Sequence, residues 1–193
     1  GTYAYVTDWN LGLRVLDISN LAVPTLMGTL ATPDYPVDVV VSGTYAYVAS
    51  RSSGLRIMNI SDSVAPTLTS VFDTADIAQG VFITGTYVFV ADAGAGIEII
   101  DVSDLAIPTR SGGFDTPGST EKVVVSGVYA YVADYGWGLH IINVSNLAVP
   151  TLTSTCETPG IAYGVAVSGN YAYVADGHAG GLRVISIADS SAP

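Results

Sequence analysis

Short apolar runs and tight polar turns alternate along the whole chain. The run VDVVV (Val37–Val41) is followed by Ser42-Gly43, then TYAYVA (Thr44–Ala49), then a polar turn over Arg51–Gly54. GLRIMNIS (Gly54–Ser61) comes next, then a loop ending at Pro66, then the less apolar PTLTSVF (Pro66–Phe72). Runs this short, rich in Val, Ile, Tyr and Thr and bounded by Gly, Ser and Pro, predict strands. The nearly unbroken apolar character of the first run predicts an inner strand buried on both faces. A two-residue connection containing Gly predicts a hairpin between the first two strands. The decline in apolar content towards the fourth run predicts an outer edge that meets solvent. Gly, Pro, Thr and Val recur too often for any long helical stretch.

This order of runs repeats. GTYAYV at Gly1 returns as GTYAYV at Gly43, GTYVFV at Gly85, GVYAYV at Gly127 and GNYAYV at Gly169, a period of 42 residues. Pro24, Pro66, Pro108 and Pro150 keep that period, and Pro193 is displaced by one residue inserted around Gly180. A four-strand unit of this length is that of a propeller blade. The expected fold is all-β: a β-propeller of 42-residue four-stranded blades in five copies, the first and last incomplete, with residues 1–193 as one domain or segment. The first copy begins at its second strand and the last stops after its third, so the eighteen expected strands fall in groups of three, four, four, four and three. Sheets left open in this way have edges free to pair. The stretch is therefore expected to belong to a longer chain or an assembly.

Composition removes several classes of function. Six Lys and Arg face seventeen Asp and Glu, giving a net charge of −11, and Lys122 is the single lysine. With no basic face, nucleic-acid binding is excluded, as is a polybasic membrane anchor. No apolar run is long enough to span a bilayer. Charged residues make up 12%, and eighteen Ser and eighteen Thr supply the polar surface instead. Cys156 cannot form an internal disulfide or a multi-cysteine metal site. It aligns with Leu30, Phe72 and Phe114 and reads as a small core residue. No GxSxG, HExxH, P-loop or CxxC motif is present.

The third runs read GLRVLDIS (12–19), GLRIMNIS (54–61), GIEIIDVS (96–103), GLHIINVS (138–145) and GLRVISIA (181–188). With the preceding YVAD (Tyr131–Asp134, Tyr173–Asp176) and the following NLAVPTL, they resemble the LVIVD repeat over essentially the whole chain. The resemblance implies a β-propeller from a bacterial or archaeal surface or secreted protein, often one module of a longer chain. It brings no general catalytic motif. Ser50 in place of the YVAD aspartate and Ser186-Ile-Ala188 in place of DVS depart from the pattern.

Candidate chemistry lies where the copies differ. In an antiparallel blade the turns between second and third strands share one face with the connections from each fourth strand to the next first strand. Differing loops on a repeated framework are where binding is written. Asp8, Asp92, Asp134 and Asp176 recur at the turn. The simpler reading makes each a turn residue accepting backbone N–H bonds. The second makes them a carboxylate ring for Ca²⁺, a hard ion seeking many oxygens, although no DxDxDG loop is present. Trp9, Tyr135 and Trp137 are large turn aromatics, read either as packing against the next blade or as ligand-binding anchors. His178, beside Asp176 in the inserted turn, joins them as a ligand-binding candidate. His140 shares its repeat position with Arg14, Arg56, Glu98 and Arg183, which reads as a tolerant exposed site.

The leading expectation is a non-catalytic extracellular or cell-surface module for protein or glycan recognition, adhesion or assembly. Its partners would be a protein or carbohydrate ligand, or neighbouring copies of the same assembly. One alternative is an enzyme with a metal or acid–base site at the channel mouth, drawing on Asp38, Lys122 and the acidic loops. Another is a structural repeat that forms fibres through its strand edges.

Overall fold

The computed structural model describes residues 2–193, except the side chains of His178 and Ala179. Eighteen strands among the described residues form five antiparallel sheets, each with its strands paired in chain order. The first sheet holds β1 (Tyr3–Asp8), β2 (Gly12–Asp17) and β3 (Thr25–Leu30). The second holds β4 (Asp38–Ser42), β5 (Tyr45–Ala49), β6 (Leu55–Asn59) and β7 (Thr67–Phe72). The third holds β8 (Gly80–Thr84), β9 (Tyr87–Ala91), β10 (Ile97–Asp101) and β11 (Thr109–Phe114). The fourth holds β12 (Lys122–Ser126), β13 (Tyr129–Ala133), β14 (Leu139–Asn143) and β15 (Thr151–Cys156). The fifth holds β16 (Gly164–Ser168), β17 (Tyr171–Asp176) and β18 (Gly181–Ser186), with the single helical turn α1 (Gly177–Gly180) in the inserted segment.

The hairpin between first and second strands sits one residue later than the sequence suggests. Ser42 still pairs with Tyr45, so Gly43 and Thr44 form the turn. Gly43 has φ +59° while Thr44 stays in the ordinary region, the pattern of a type II′ turn with Gly at its first central position. The other special glycine opens the third strand. Gly54 has φ +66°, and a β-carbon there would overlap the Phe72 carbonyl oxygen of the neighbouring strand.

The core is divided among the junctions between sheets. Tyr47, Ala49, Leu55 and Ile57 project from one face of the second sheet and pack with Val81, Val88, Val90, Ile100 and Val102 of the third. Its opposite face gives Ala46, Val48, Met58 and Ile60 to a cluster with Leu13 of the first sheet. The same pattern joins the third sheet to the fourth and the fourth to the fifth. Both faces of the middle strands are therefore buried, which explains their unbroken apolar runs. Side by side, the first strands β4, β8, β12 and β16 line the inner side of the stack, with β1, equivalent to a second strand, against β4.

These first strands are not the most buried ones. β4 is half-buried to exposed and β16 buries only Val165, while β5, β6, β13 and β14 are nearly all buried. The expectation of a first strand buried on both faces is corrected accordingly. Each first strand packs against neighbouring first strands and leaves side-chain area on the open inner side, while the second and third strands take the full sandwich position.

Candidate binding face

The two sets of connections share one face, as the blade pattern requires, and they are joined there by backbone bridges. Arg51 pairs with Ala78, Ala93 with Thr120, and Tyr135 with Ala162. Arg51, Ala93 and Tyr135 adopt φ of 43°, 40° and 48° at these bridges. Each turn thus touches the segment that leads into the next sheet.

The repeated aspartates fasten the segment that leads into their own sheet. Asp134 Oδ1 accepts from Thr116 Oγ1 at 2.7 Å, and its Oδ2 accepts from the Gly118 N–H at 3.0 Å. Asp176 accepts from Thr158 and from the Gly160 N–H at 3.1 Å. Asp92 Oδ2 accepts from the Asp76 N–H at 2.9 Å. Asp8 instead accepts from its own turn, at Asn10. The four carboxylates are placed one per sheet. Among the described residues no group of three or more His, Cys, Asp or Glu side chains is arranged to hold a metal. Beside the backbone N–H groups, the Thr116, Thr120 and Thr158 hydroxyls donate to these carboxylates, and the sequence alone did not single them out.

Behind each aspartate lies the third-strand position that reads from sequence as exposed. The structure corrects this for the three middle sheets, where His140 is 3% exposed and Arg56 and Glu98 are buried too, while Arg14 and Arg183 keep exposed area. The crossover segment covers this end of the strand, so a polar side chain there faces the aspartate rather than water. Arg14 Nη1 lies 3.2 Å from Asp8 Oδ2, and Arg183 Nε lies 3.5 Å from Asp176 Oδ2. His140 Nε2 is 3.0 Å from Asp134 Oδ2, off the line of an ideal hydrogen bond, and its Nδ1 is 2.9 Å from Thr155 Oγ1. Burial opposes ionisation of Asp134, but His140, Thr116 and the Gly118 N–H together hold its carboxyl below the usual range.

The turn aromatics keep large exposed areas: Trp9 is 57% exposed, Trp137 49% and Tyr135 42%. Each of the outer two meets a tyrosine from the connection into the next sheet. Trp9 and Tyr35 are edge-to-face at 5.5 Å between centroids, and Tyr135 and Tyr163 at 5.9 Å. Trp137 lies over Gly118, where a β-carbon would come within 2.7 Å of its ring. Tyr35 and Tyr163 are themselves half-exposed and were not singled out from sequence. Their signal was present as aromatics in loops of the shared face, at positions that are not repeat equivalents. His178 lies in α1, and its side chain is outside the described residues.

At the inner side, Lys122 Nζ meets Asp38 Oδ2, which also accepts the Val81 N–H at 2.8 Å. The pair links the second and fourth sheets across Gly80 of the third. A β-carbon on Gly80 would lie 2.8 Å from the Glu121 oxygen and 3.2 Å from Lys122 Cα. Glu121 is half-buried, and burial pushes its carboxyl up, against the Ser119 hydroxyl and the Arg51 charge. The pocket at the fourth–fifth junction, about 280 Å³, is a shallow depression lined by Cys156, Glu157, Thr158, Pro159 and Arg183–Ile185.

A single repeated unit of antiparallel sheet, one constant framework and one face of differing loops define a repeat protein of the all-β class. The chain belongs to the LVIVD-repeat family, whose repeat model matches residues 1–32, 35–74, 75–116, 117–158 and 159–193. No curated protein is similar to it in sequence at a significant level. Among solved structures, the computationally designed Ika8 protein superposes with a TM-score of 0.73 at 9% identity, over 97% of this chain and 56% of that one. The designed Ika4 protein gives 0.68 at 7% identity, over 81% of this chain and 94% of that one. A functionally unknown protein from Desulfotomaculum acetoxidans DSM 771 gives 0.69 at 16% identity, over 90% of this chain and 59% of that one. The chain therefore spans less than two thirds of the length of two of these three, and at such identities the likeness concerns the fold alone.

Proposed function

We propose that the chain is a β-propeller module without catalytic activity, part of an extracellular or cell-surface protein, that recognises a protein or glycan ligand through its turn-and-crossover face. The observation that carries this reading is the pair of exposed aromatic contacts, Trp9–Tyr35 and Tyr135–Tyr163, on a face whose framework is otherwise repetitive. Exposed aromatics give large, rigid contact area at low entropic cost, which suits recognition. The propeller arrangement is supported by the side-by-side first strands. It is supported too by Leu182 and Val184 of the fifth sheet, exposed where Leu139 and Ile141 of the fourth are buried against a following sheet. That free face fits another sheet of the same kind. The acid–base alternative draws less support, because Asp38 is already engaged by Lys122 and by the Val81 N–H.

The test is binding of the 193-residue chain to glycan and peptide arrays, beside the W9A/Y35A and Y135A/Y163A variants. Binding that weakens about tenfold or more in either variant, with folding intact, is the expected result. Binding indifferent to both pairs contradicts this reading. Substrate turnover abolished by D38N points to the enzyme instead.

A further inference from the structure

One buried position sets the third sheet apart, and two other replacements accompany it. Where the first, fourth and fifth sheets place Arg14, His140 and Arg183 against Asp8, Asp134 and Asp176, the third places Glu98 beside Asp92. A basic partner does reach Glu98: Arg110 Nε lies 2.9 Å from its Oε1. Arg110 stands where the other sheets carry Leu26, Leu68 and Leu152. Directly across from Glu98 is Gly113, where the others carry Thr29, Val71 and Thr155. A β-carbon on Gly113 would lie 2.7 Å from the Arg110 guanidinium and 2.6 Å from the Ile97 oxygen. The three replacements form one set. The cation has moved to the outer strand, Gly113 makes room for it, and an acid fills its former place.

The move leaves a buried imbalance. Asp92 is 0% exposed and Glu98 is 5% exposed. Asp92 Oδ1 and Glu98 Oε2 are both buried without a hydrogen-bond partner among the described residues. Two carboxylates cannot satisfy each other, since both only accept, whereas one neutral acid can donate to a neighbouring carboxylate. Two like charges out of water also resist joint ionisation. The groups facing Asp92 are the Thr74 hydroxyl and Asp76 from the crossover segment and Glu98 from β10, while Arg110 from β11 faces Glu98. Arg110 supplies one positive charge against the two buried carboxyls, and the exposed Asp76 adds a third, so the site carries an excess of negative charge that a bound proton relieves.

We propose that Asp92 and Glu98 form a buried carboxyl pair that binds one proton, a proton site where the neighbouring sheets carry a basic side chain. Burial pushes the Asp92 carboxyl up, and the Glu98 and Asp76 charges add to this against the Thr74 and Asp76 N–H hydrogen bonds. A folded-state value raised above the unfolded one means that the folded chain binds this proton more tightly. The stabilisation is complete below the ordinary carboxyl range and is lost as pH rises through the raised value.

The experiment is a carbon-13 NMR titration of the Asp92 and Glu98 carboxyls in the intact chain, beside E98Q and the double variant E98R/R110L. In the unmodified chain, one proton of the pair is expected to leave only above the ordinary carboxyl range. In E98Q the Asp92 titration moves down, and in E98R/R110L it falls below the ordinary range. Two carboxyls that both titrate at ordinary values overturn the proposal, as does an Asp92 titration unchanged in E98Q. Ca²⁺ or Mg²⁺ that shifts both signals at neutral pH, reversibly with a chelator, overturns it in favour of a metal. The titration of the unmodified chain decides the matter even if a variant fails to fold.

Discussion

At Asp134, the cost of burying a charge is met by His140, the Thr116 hydroxyl and the Gly118 N–H, the last two from a segment sixteen to eighteen residues earlier in the chain. The sign of the resulting pH effect is opposite to that at Asp92. A carboxyl held below its unfolded value stabilises the fold above the ordinary carboxyl range, and that stabilisation is lost as pH falls through the folded value. D134N is expected to cost about 1–3 kcal/mol at neutral pH, because buried donors lose their acceptor. It should also flatten the acid limb of the stability profile, both effects being read by denaturant unfolding across pH. The recurrence of this aspartate before a turn was legible in the sequence, as was its role as an acceptor. Thr116 and Gly118 were not, because no local spacing ties them to Asp134. His140 was misread for a related reason: a polar residue on a strand suggests solvent, and the covering crossover segment is a tertiary feature.

The strands themselves were the most legible elements. Their number, order and grouping follow from the 42-residue period. The relative burial of first and second strands did not follow, since an unbroken Val run looks the same lining an inner side as it does between two sheets. The helical turn α1 arose from an inserted glycine-rich stretch with no helical pattern. Repeat-equivalent positions make this point measurable. Leu139 on β14 is fully buried against the fifth sheet, while Leu182, its equivalent on β18, is exposed. L139A is expected to destabilise the chain by about 2–5 kcal/mol, as a large-to-small change in a packed core does. In the same 193-residue chain, L182A should stay within about 0.5 kcal/mol, the range of an exposed substitution. Thermal or denaturant unfolding of the two variants side by side checks both values.

Over the whole molecule, contacts far apart in sequence tie the sheets together. The Lys122–Asp38 pair spans 84 residues and joins the second and fourth sheets across Gly80, a position with no room for a side chain. The repeat comparison placed Asp38, Gly80 and Lys122 at one equivalent position but could not say that two of them touch. Similarly, it placed Trp9 and Tyr135 on the face of differing loops without revealing Tyr35 and Tyr163 as their partners. The central claim is that this face, rather than the opposite one bearing the hairpins at Gly43, Gly85 and Gly127, meets the ligand. Hydrogen exchange of the chain bound to its array-identified ligand tests it most directly. Protection concentrated at residues 8–11, 34–35, 134–137 and 161–163 is the predicted result. Protection confined to the hairpins around Gly43, Gly85 and Gly127 would contradict it.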